Sequence, residues 1–345
     1  MKRYEPINFK ENYKNYLLCL LSLGYSFCGS KKKAEKPTNE IVRELKKVGA
    51  IVKDKSERSY KLYIDPDNNK NKKFYSDLSD FLNAASWKNK KNLYFKANEA
   101  PYGMITVYYK DKKGKEHHFT LHSDQLGFSA VPWIYFRKDY PLSRYLEMQK
   151  NKSDKEPETV AKFLSEYVYT TRTLGGFFLW PESWHRDYNM GRGNGSYIED
   201  RVDLTLLEIK HYFEYRELDD KKKFKYSGDI LFRYYDNLDA QTWFGFFDSF
   251  EDYVDFFLFN DFVYKDKQTK EYTPINILTG EPFEKDYLNY EEDVLKGLEE
   301  YKLKAMLDLV MDKVKTRSEN MEKLIAKYNQ TNDTKGEKHE NILHE

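Results

Sequence analysis

The chain has 345 residues, with 58 Lys and Arg against 57 Asp and Glu, so its formal net charge is +1. Aromatic residues make up 17% of it, which excludes a globally disordered chain, and only two cysteines exclude a disulfide scaffold or a four-cysteine zinc site. The balanced charge excludes strong whole-molecule attraction to nucleic acid or to an anionic membrane, but it is compatible with a local basic patch.

Residues 1–148 alternate between helical and strand-like patterns and predict a mixed α/β part. In chain order, the patterns predict helices over 12–23 and 39–45, a strand over 59–64, a short helix over 75–85, and strands over 92–96, 104–109 and 117–122. Asp111, Lys112, Lys113 and Gly114 form a turn signal between the last two strands. The sequence therefore predicts a β-hairpin there.

The apolar segment 16–23 could be an export signal, a membrane span or a buried helix. It is too short to cross a membrane, and Glu5 and Glu11 stand where an export signal needs positive charge, so we interpret it as a buried helix. No run of about 18 apolar residues occurs in the sequence. Two unpaired-looking cysteines, Cys19 and Cys28, fit a reducing compartment, and we expect a cytoplasmic protein without a membrane partner.

The second half of the chain reads as mainly helical. Residues 149–158 are charged, lack apolar side chains and contain Pro157, which predicts a linker. Beyond it, residues 159–328 are predicted to form a helical, aromatic-rich part with helices over 158–171, 201–216, 228–238 and 250–259 and either one long helix or two over 287–328. The polar residues 329–345 are predicted to be disordered. The expected fold class is α+β.

The segment 172–195 combines arginine with glycine in an unusual way. Glycine lets the backbone approach a ligand closely, and arginine suits phosphate, so we interpret the following residues as a phosphate-binding set: Arg172, Gly175, Gly176, Arg192 and Gly193. The spacing matches neither a P-loop nor a dinucleotide fingerprint. The alternative is a glycine-rich surface loop before a helix that Asp200 caps.

The helix predicted over 201–216 follows this segment and supplies candidate catalytic residues. Arg201 would clamp phosphate or carboxylate, with His185 or Asp203 as the acid or base. The alternative is an ordinary amphipathic helix whose charged side chains are solvated or paired within the fold. The sequence leaves the identity of any cofactor open.

Three side chains near the hairpin raise a metal alternative. His118 and His122 would share one strand face, and Asp124 follows closely, but a further ligand would have to come from elsewhere. Exposed hairpin histidines are the simpler interpretation.

Lysine and aromatic residues alternate at several places, as in the segment 91–96. Lysines beside stacking rings suit single-stranded nucleic acid, whereas solvated loop tips would carry the same composition.

Several blocks resemble a family of uncharacterised proteins from low-GC Gram-positive bacteria. They are Arg172–Gly176, which is similar to the family's Arg-Thr-[Ile/Leu]-Gly-Gly, Asp200–Leu206, which is similar to its Asp-Arg-x-Asp-Leu-Thr-Leu, and the aromatic block Phe250–Phe262. The likeness extends over about residues 119–300. It implies a shared architecture and directs attention to the two blocks, but it implies no reaction.

The leading functional hypothesis is an intracellular bacterial defence or toxin-like protein that acts on nucleic acid or a nucleotide through the Arg/Gly-rich segment. One alternative is a non-enzymatic interaction protein whose Arg–Asp pairs are structural. A second is a metal-dependent hydrolase that uses His118, His122 and Asp124. The oligomeric state and the identity of a protein partner are left open.

Overall fold

The computed structural model describes residues 51–53, 60–62, 72–97, 104–126, 166–167, 170–181, 202–215, 238–284 and 300–335. The helices predicted over 12–23 and 39–45 and the linker predicted over 149–158 lie outside these residues. So do most of the helices predicted over 158–171 and 228–238.

An antiparallel four-stranded sheet organises the first part of the chain. A short pair, β1 (Ile51–Lys53) with β2 (Tyr60–Leu62), precedes helix α1 (Lys72–Lys88). The sheet then runs in the order β3 (Leu93–Ala97), β4 (Met104–Lys110), β5 (Glu116–Gln125) and β6 (Phe177–Pro181). The predicted strands and the hairpin between β4 and β5 are confirmed. The sequence patterns predict no element at Phe177–Pro181. These residues form strand β6, which pairs with β5 and so adds a segment from beyond the predicted linker to the sheet.

Helix α1 covers the free edge of β3 with side chains instead of a further strand. Asn83 accepts from the backbone N–H of Phe95 at 2.8 Å and donates to its carbonyl oxygen at 3.0 Å. Ser86 Oγ donates to the carbonyl oxygen of Leu93 at 2.8 Å. These bonds satisfy the polar groups that an edge strand otherwise presents for pairing with other chains.

The rest of the described chain is mainly helical, so the α+β class is confirmed. The helices are α2 (Val202–Tyr215), α3 (Leu238–Gly245), α4 (Phe250–Phe257) and α5 (Glu300–Lys335), and a small hairpin pairs β7 (Val263–Lys265) with β8 (Tyr272–Pro274). One correction concerns the predicted tail. Helix α5 continues to Lys335, so residues 329–335 are helical and not disordered, and residues 336–345 lie outside the described residues.

Local signals explain the limits of α4. Ser249 adopts an extended backbone conformation, and its side chain accepts from the N–H of Asp252 at 3.3 Å, as an N-cap does. Leu258 ends the helix in the left-handed region at φ 54°, which places an unfavourable conformation on a residue that is not glycine.

Aromatic side chains fill the core between the sheet and helices α3 and α4. Trp243 is fully buried and meets Phe247 at 5.2 Å and Phe257 at 5.9 Å, while Phe95 reaches it from β3 at 6.3 Å. Such edge-to-face pairs each contribute about 0.5–1.5 kcal/mol beyond the burial of their area. Lys91 adds a polar tie just before β3, because its Nζ lies 2.5 Å from Asp252 Oδ2 in the first turn of α4.

We find no helix with the length and apolar character that crossing a membrane requires within the described part of the chain. The predicted location in the cytoplasm stays a prediction.

Candidate functional site

The predicted phosphate segment begins as a buried junction between strand β6 and helix α5. Arg172 is only 6% exposed. Thr173 Oγ1 lies 2.6 Å from Ser318 Oγ, and the backbone N–H of Gly175 donates to the same Ser318 oxygen at 3.0 Å. The amide of Gly175 is therefore engaged by α5 and is not directed at an open anion site.

Both glycines of this segment are explained by close packing. A Cβ on Gly175 would lie 2.6 Å from the carbonyl oxygen of Val314 and 2.6 Å from the backbone nitrogen of Ser318. A Cβ on Gly176 would lie 1.9 Å from the carbonyl oxygen of Thr171. Glycine thus permits a close approach, as predicted, but the approaching partners are the chain's own backbone and helix α5. A phosphate-binding role for Gly175 and Gly176 stays a prediction.

Arg317 is a buried charged residue that the sequence analysis does not single out. It is fully buried on α5 and joins three carbonyl oxygens from separate segments. Its Nε donates to Phe257 at 2.9 Å, and its Nη1 donates to Gly175 at 2.5 Å and to Phe177 at 2.8 Å. Its guanidinium lies 4.2 Å from the ring centroid of Phe259. Within the described residues no carboxylate pairs with it.

The environment of Arg317 has a clear electrostatic consequence. Burial lowers the pKa of its guanidinium from the usual range to about 9, and interaction with Tyr253 offsets only part of that effect. The side chain stays cationic at neutral pH, beside the carboxyl-terminal end of α4, where a positive charge is favoured. A sequence signal existed: Val310, Val314, Met321 and Leu324 are buried at alternating spacings of four and three, and Arg317 occupies the missing position of that stripe. We interpret Arg317 as the residue that fixes β6 and α4 against α5.

Asp203, predicted as an acid or base, is fully buried in the first turn of α2. Its Oδ2 accepts from the backbone N–H of Ile277 at 3.0 Å, which ties α2 to the segment that follows β8. The geometry gives this carboxylate a structural contact, and its catalytic role stays a prediction. His185, Arg192, Gly193 and Arg201 lie outside the described residues, so the set is not brought together in the described part of the chain.

A second polar tie connects α2 to the β7–β8 hairpin. Lys210 Nζ donates to Glu271 Oε1 at 2.7 Å and also contacts Glu214 one turn along its own helix. Burial lowers the pKa of Lys210, but hydrogen bonds to the two carboxylates outweigh burial and raise it above 10.5. Lys210 is thus held as a cation.

The described side chains do not provide a set of ligands for a metal ion. The register of β5 does place His118, His122 and Asp124 on one face, because successive side chains alternate. Among the side chains that the structure describes, no group of three His, Cys, Asp or Glu is positioned to hold a metal ion. The side chain of His122 itself lies outside this description.

That same face of the sheet carries a row of accessible rings. Tyr94 on β3, Tyr108 on β4 and His118 on β5 are direct cross-strand neighbours. Their ring centroids lie 5.9 Å and 5.7 Å apart, with interplanar angles of 44° and 33°. Both tyrosines are half-buried and His118 is exposed. We call these three residues the ring row.

The opposite, covered face carries a second pair of rings, which are half-buried like the two tyrosines of the ring row. Tyr109 and His117 stack at 5.3 Å one residue along from Tyr108 and His118, and Phe246 contacts the Tyr109 ring at 5.0 Å. His117 Nε2 also lies 3.0 Å from Asp111 Oδ2, and this hydrogen bond is the largest cause of the lowered pKa of Asp111. On the face of the ring row, Phe178 and Trp180 of β6 are buried against Phe259 and Phe244, so the accessible part of that face is the one that β3, β4 and β5 form.

Lysines flank the ring row along its strands. Lys96 follows Tyr94 by two residues and Lys110 follows Tyr108 by two, so both belong to the same face, and both are exposed. Lys110 lies 3.7 Å from Glu116, with 35% and 50% of the two side chains exposed, so this surface pair holds Lys110 only weakly. The face thus combines stacking surface with positive charge.

A family model for a family of unknown function, DUF6994, matches residues 65–321. The chain belongs to DUF6994. The match runs from before α1 into α5 and so includes the sheet, the ring row and the buried junction. No curated protein and no solved structure matches this chain. The resemblance to an uncharacterised family is confirmed at that level.

Proposed function

We propose that this protein binds single-stranded nucleic acid across the part of one sheet face that β3, β4 and β5 form. The ring row is the observation that supports the proposal. Three adjacent strands each carry one ring at the same level of this face. Sequence-tolerant binding of unpaired bases depends on stacking against rings arranged in this way.

The flanking lysines supply the second requirement of such a surface. Lys96 and Lys110 stand beside the rings, where phosphates of a bound strand would run. The near-zero net charge of the whole chain is compatible with this, because recognition would depend on local charge. The proposal needs no reaction at this surface.

The proposal moves the predicted contact from the Arg/Gly-rich segment to the sheet. Arg172, Gly175 and Gly176 are buried at the junction with α5, whereas the ring row is accessible. A reaction that uses His185, Arg192 or Arg201 stays a prediction, and so does a role in bacterial defence. We also propose that the blocks Arg172–Gly176 and Asp200–Leu206 are shared features of the family and serve its folding.

Fluorescence anisotropy with a labelled 15-nucleotide oligothymidylate and an oligouridylate tests the proposal at low salt. Each base stacked on a ring is worth about 1–3 kcal/mol, so Tyr108→Ala is expected to raise the Kd by roughly 5- to 150-fold. Lys96→Ala should also reduce the salt dependence of binding, by roughly 0.7 in the slope of log K against log salt.

A matched pair of neighbouring histidines provides the control. His118→Ala removes a ring from the open face, whereas His117→Ala removes one from the covered face at the same strand level. We expect weaker binding for the first and wild-type binding for the second, and both variants must be folded at the assay temperature. Absence of binding by the wild type to both oligonucleotides, or equal loss in the two histidine variants, would overturn the proposal.

A further inference from the structure

A second group of accessible rings lies where helix α1 meets helix α5. Trp87, in the last turn of α1, is 37% exposed, which is unusual for so large an apolar side chain. Its ring lies 6.0 Å from that of Tyr328 on α5, at an interplanar angle of 60°. Lys327 Nζ stands 5.9 Å from the centroid of the Trp87 ring. We call Trp87, Tyr328 and Lys327 the helix seam.

The helix seam adjoins the ring row at Tyr94. Ser86 Oγ donates to the carbonyl oxygen of Leu93 at 2.8 Å, which holds the end of α1 beside the start of β3. Tyr94 also interacts electrostatically with Tyr328 and contributes to raising its pKa, an effect caused mainly by burial. The hydrogen bond from Ser86 thus places the helix seam next to the Tyr94 end of the ring row.

Exposed lysines surround the helix seam. Lys327 and Lys323 are exposed one turn apart on α5, and Lys88 is exposed beside Trp87. Among the described residues, the acidic groups near these rings include Asp80, which acts on Tyr328, Glu116, which is paired with Lys110, and Asp124 on the face of His118. The lysines outnumber these carboxylates, which favours a polyanionic ligand.

The ring spacing selects among polyanions. Neighbouring rings whose separation is defined lie 5.7–6.0 Å apart. Bases along one strand of a duplex rise by only about 3.4 Å, so a stacked duplex cannot place successive bases on successive rings. An unpaired strand can extend to match the spacing.

We infer that the ring row and the helix seam form one continuous binding track for an extended single strand of roughly five or more nucleotides, one base to each ring. This inference rests on the proposed function, because it adds length and the helix seam to the surface proposed above. Trp87 and Lys327 are then ligand-binding residues, although they stand outside the sheet.

A length series of labelled oligothymidylates of 3, 5, 8 and 12 nucleotides tests the track in the full chain. For the wild type we expect the affinity to rise steeply up to about five to eight nucleotides and only slightly beyond. Trp87→Ala is expected to weaken binding of the 8-nucleotide probe by roughly 5- to 150-fold and to leave the 3-nucleotide probe nearly unaffected, whereas Tyr108→Ala weakens both.

Tyr264→Ala is the matched control, because Tyr264 on β7 is the other large exposed ring of the described chain, at 46% exposure. It should bind like the wild type, and all variants must melt normally. If Trp87→Ala binds the longer probe as tightly as the wild type while Tyr108→Ala does not, the track is overturned and the proposed function stands. If the wild type binds no probe, both fall. Equal affinity for 3 and 8 nucleotides would also overturn the track alone.

Discussion

Substitution of Gly175 by alanine separates a packing role from a phosphate-binding role. The added methyl group would lie 2.6 Å from the carbonyl oxygen of Val314, 2.6 Å from the backbone nitrogen of Ser318 and 2.4 Å from its Oγ. Two of these atoms belong to the backbone of α5, so no side-chain rotation can relieve the clash. Helix α5 or strand β6 has to move.

The magnitude follows from the contacts that such a movement disturbs. Overpacking costs about 1–3 kcal/mol. Losing the buried bond from the Gly175 N–H to Ser318 Oγ adds about 1–3 kcal/mol. A combined loss of about 3 kcal/mol in the free energy of unfolding corresponds to a fall of roughly 4 °C in Tm for a chain of 345 residues, because the entropy of unfolding is about 2.1 cal/mol/K per residue.

Urea unfolding and thermal melting of Gly175→Ala measure this loss. Gly245→Ala is the matched control, because Gly245 ends α3 with open space around its Cβ position. Alanine there should be neutral or stabilise the helix by up to about 1 kcal/mol. A Gly175→Ala protein as stable as the wild type would refute the packing argument, and a phosphate-binding role for this glycine would then become the better explanation.

Two further predictions concern single carboxylates. Asp203→Ala should lower the free energy of unfolding by about 1–3 kcal/mol in urea titrations, because it leaves the buried N–H of Ile277 without this acceptor. Asp203→Asn should lower it less, because its amide oxygen can still accept that hydrogen bond. Equal effects of the two substitutions would contradict this explanation. His117→Ala should raise the pKa of Asp111 towards 3.8 in a carboxyl NMR titration, because the hydrogen bond that lowers it most is removed. Since the pKa of Asp111 is depressed in the folded state, the stabilisation from this pair is present above pH about 3.8 and is lost as the pH falls through the lowered value. An unchanged Asp111 titration in the variant would rule this explanation out.

Local patterns were sufficient for much of the fold. The alternation in residues 104–109 and 117–122, with a turn between them, predicted the hairpin because side chains of a half-buried strand alternate in facing core and solvent. The apolar stripes predicted α2 and α4 to within a few residues, because helical periodicity is also a local property. The predicted tail failed at 329–335, where polar residues extend a helix that its earlier turns had already anchored.

The candidate site was found only in part. The lysine–aromatic pattern around Tyr94 drew attention to the strand that carries one ring of the row, but nothing local indicated that Tyr108 and His118 complete a row beside it. Their proximity depends on strand register, which pairs residues far apart in the chain. The Arg/Gly-rich segment attracted attention through composition, whereas Gly175 turned out to be packed against a helix more than a hundred residues away.

The sequence by itself determined the α+β class, the hairpin, the main helical faces and the aromatic character of the core, since each depends on periodicity within a short window. Only the tertiary structure decided that β6 closes the sheet, that Asn83 covers the edge of β3 and that Arg317 binds carbonyl oxygens 60 and more residues away. The physical reason is that buried polar groups must find partners wherever the fold places them, and sequence spacing does not encode that placement.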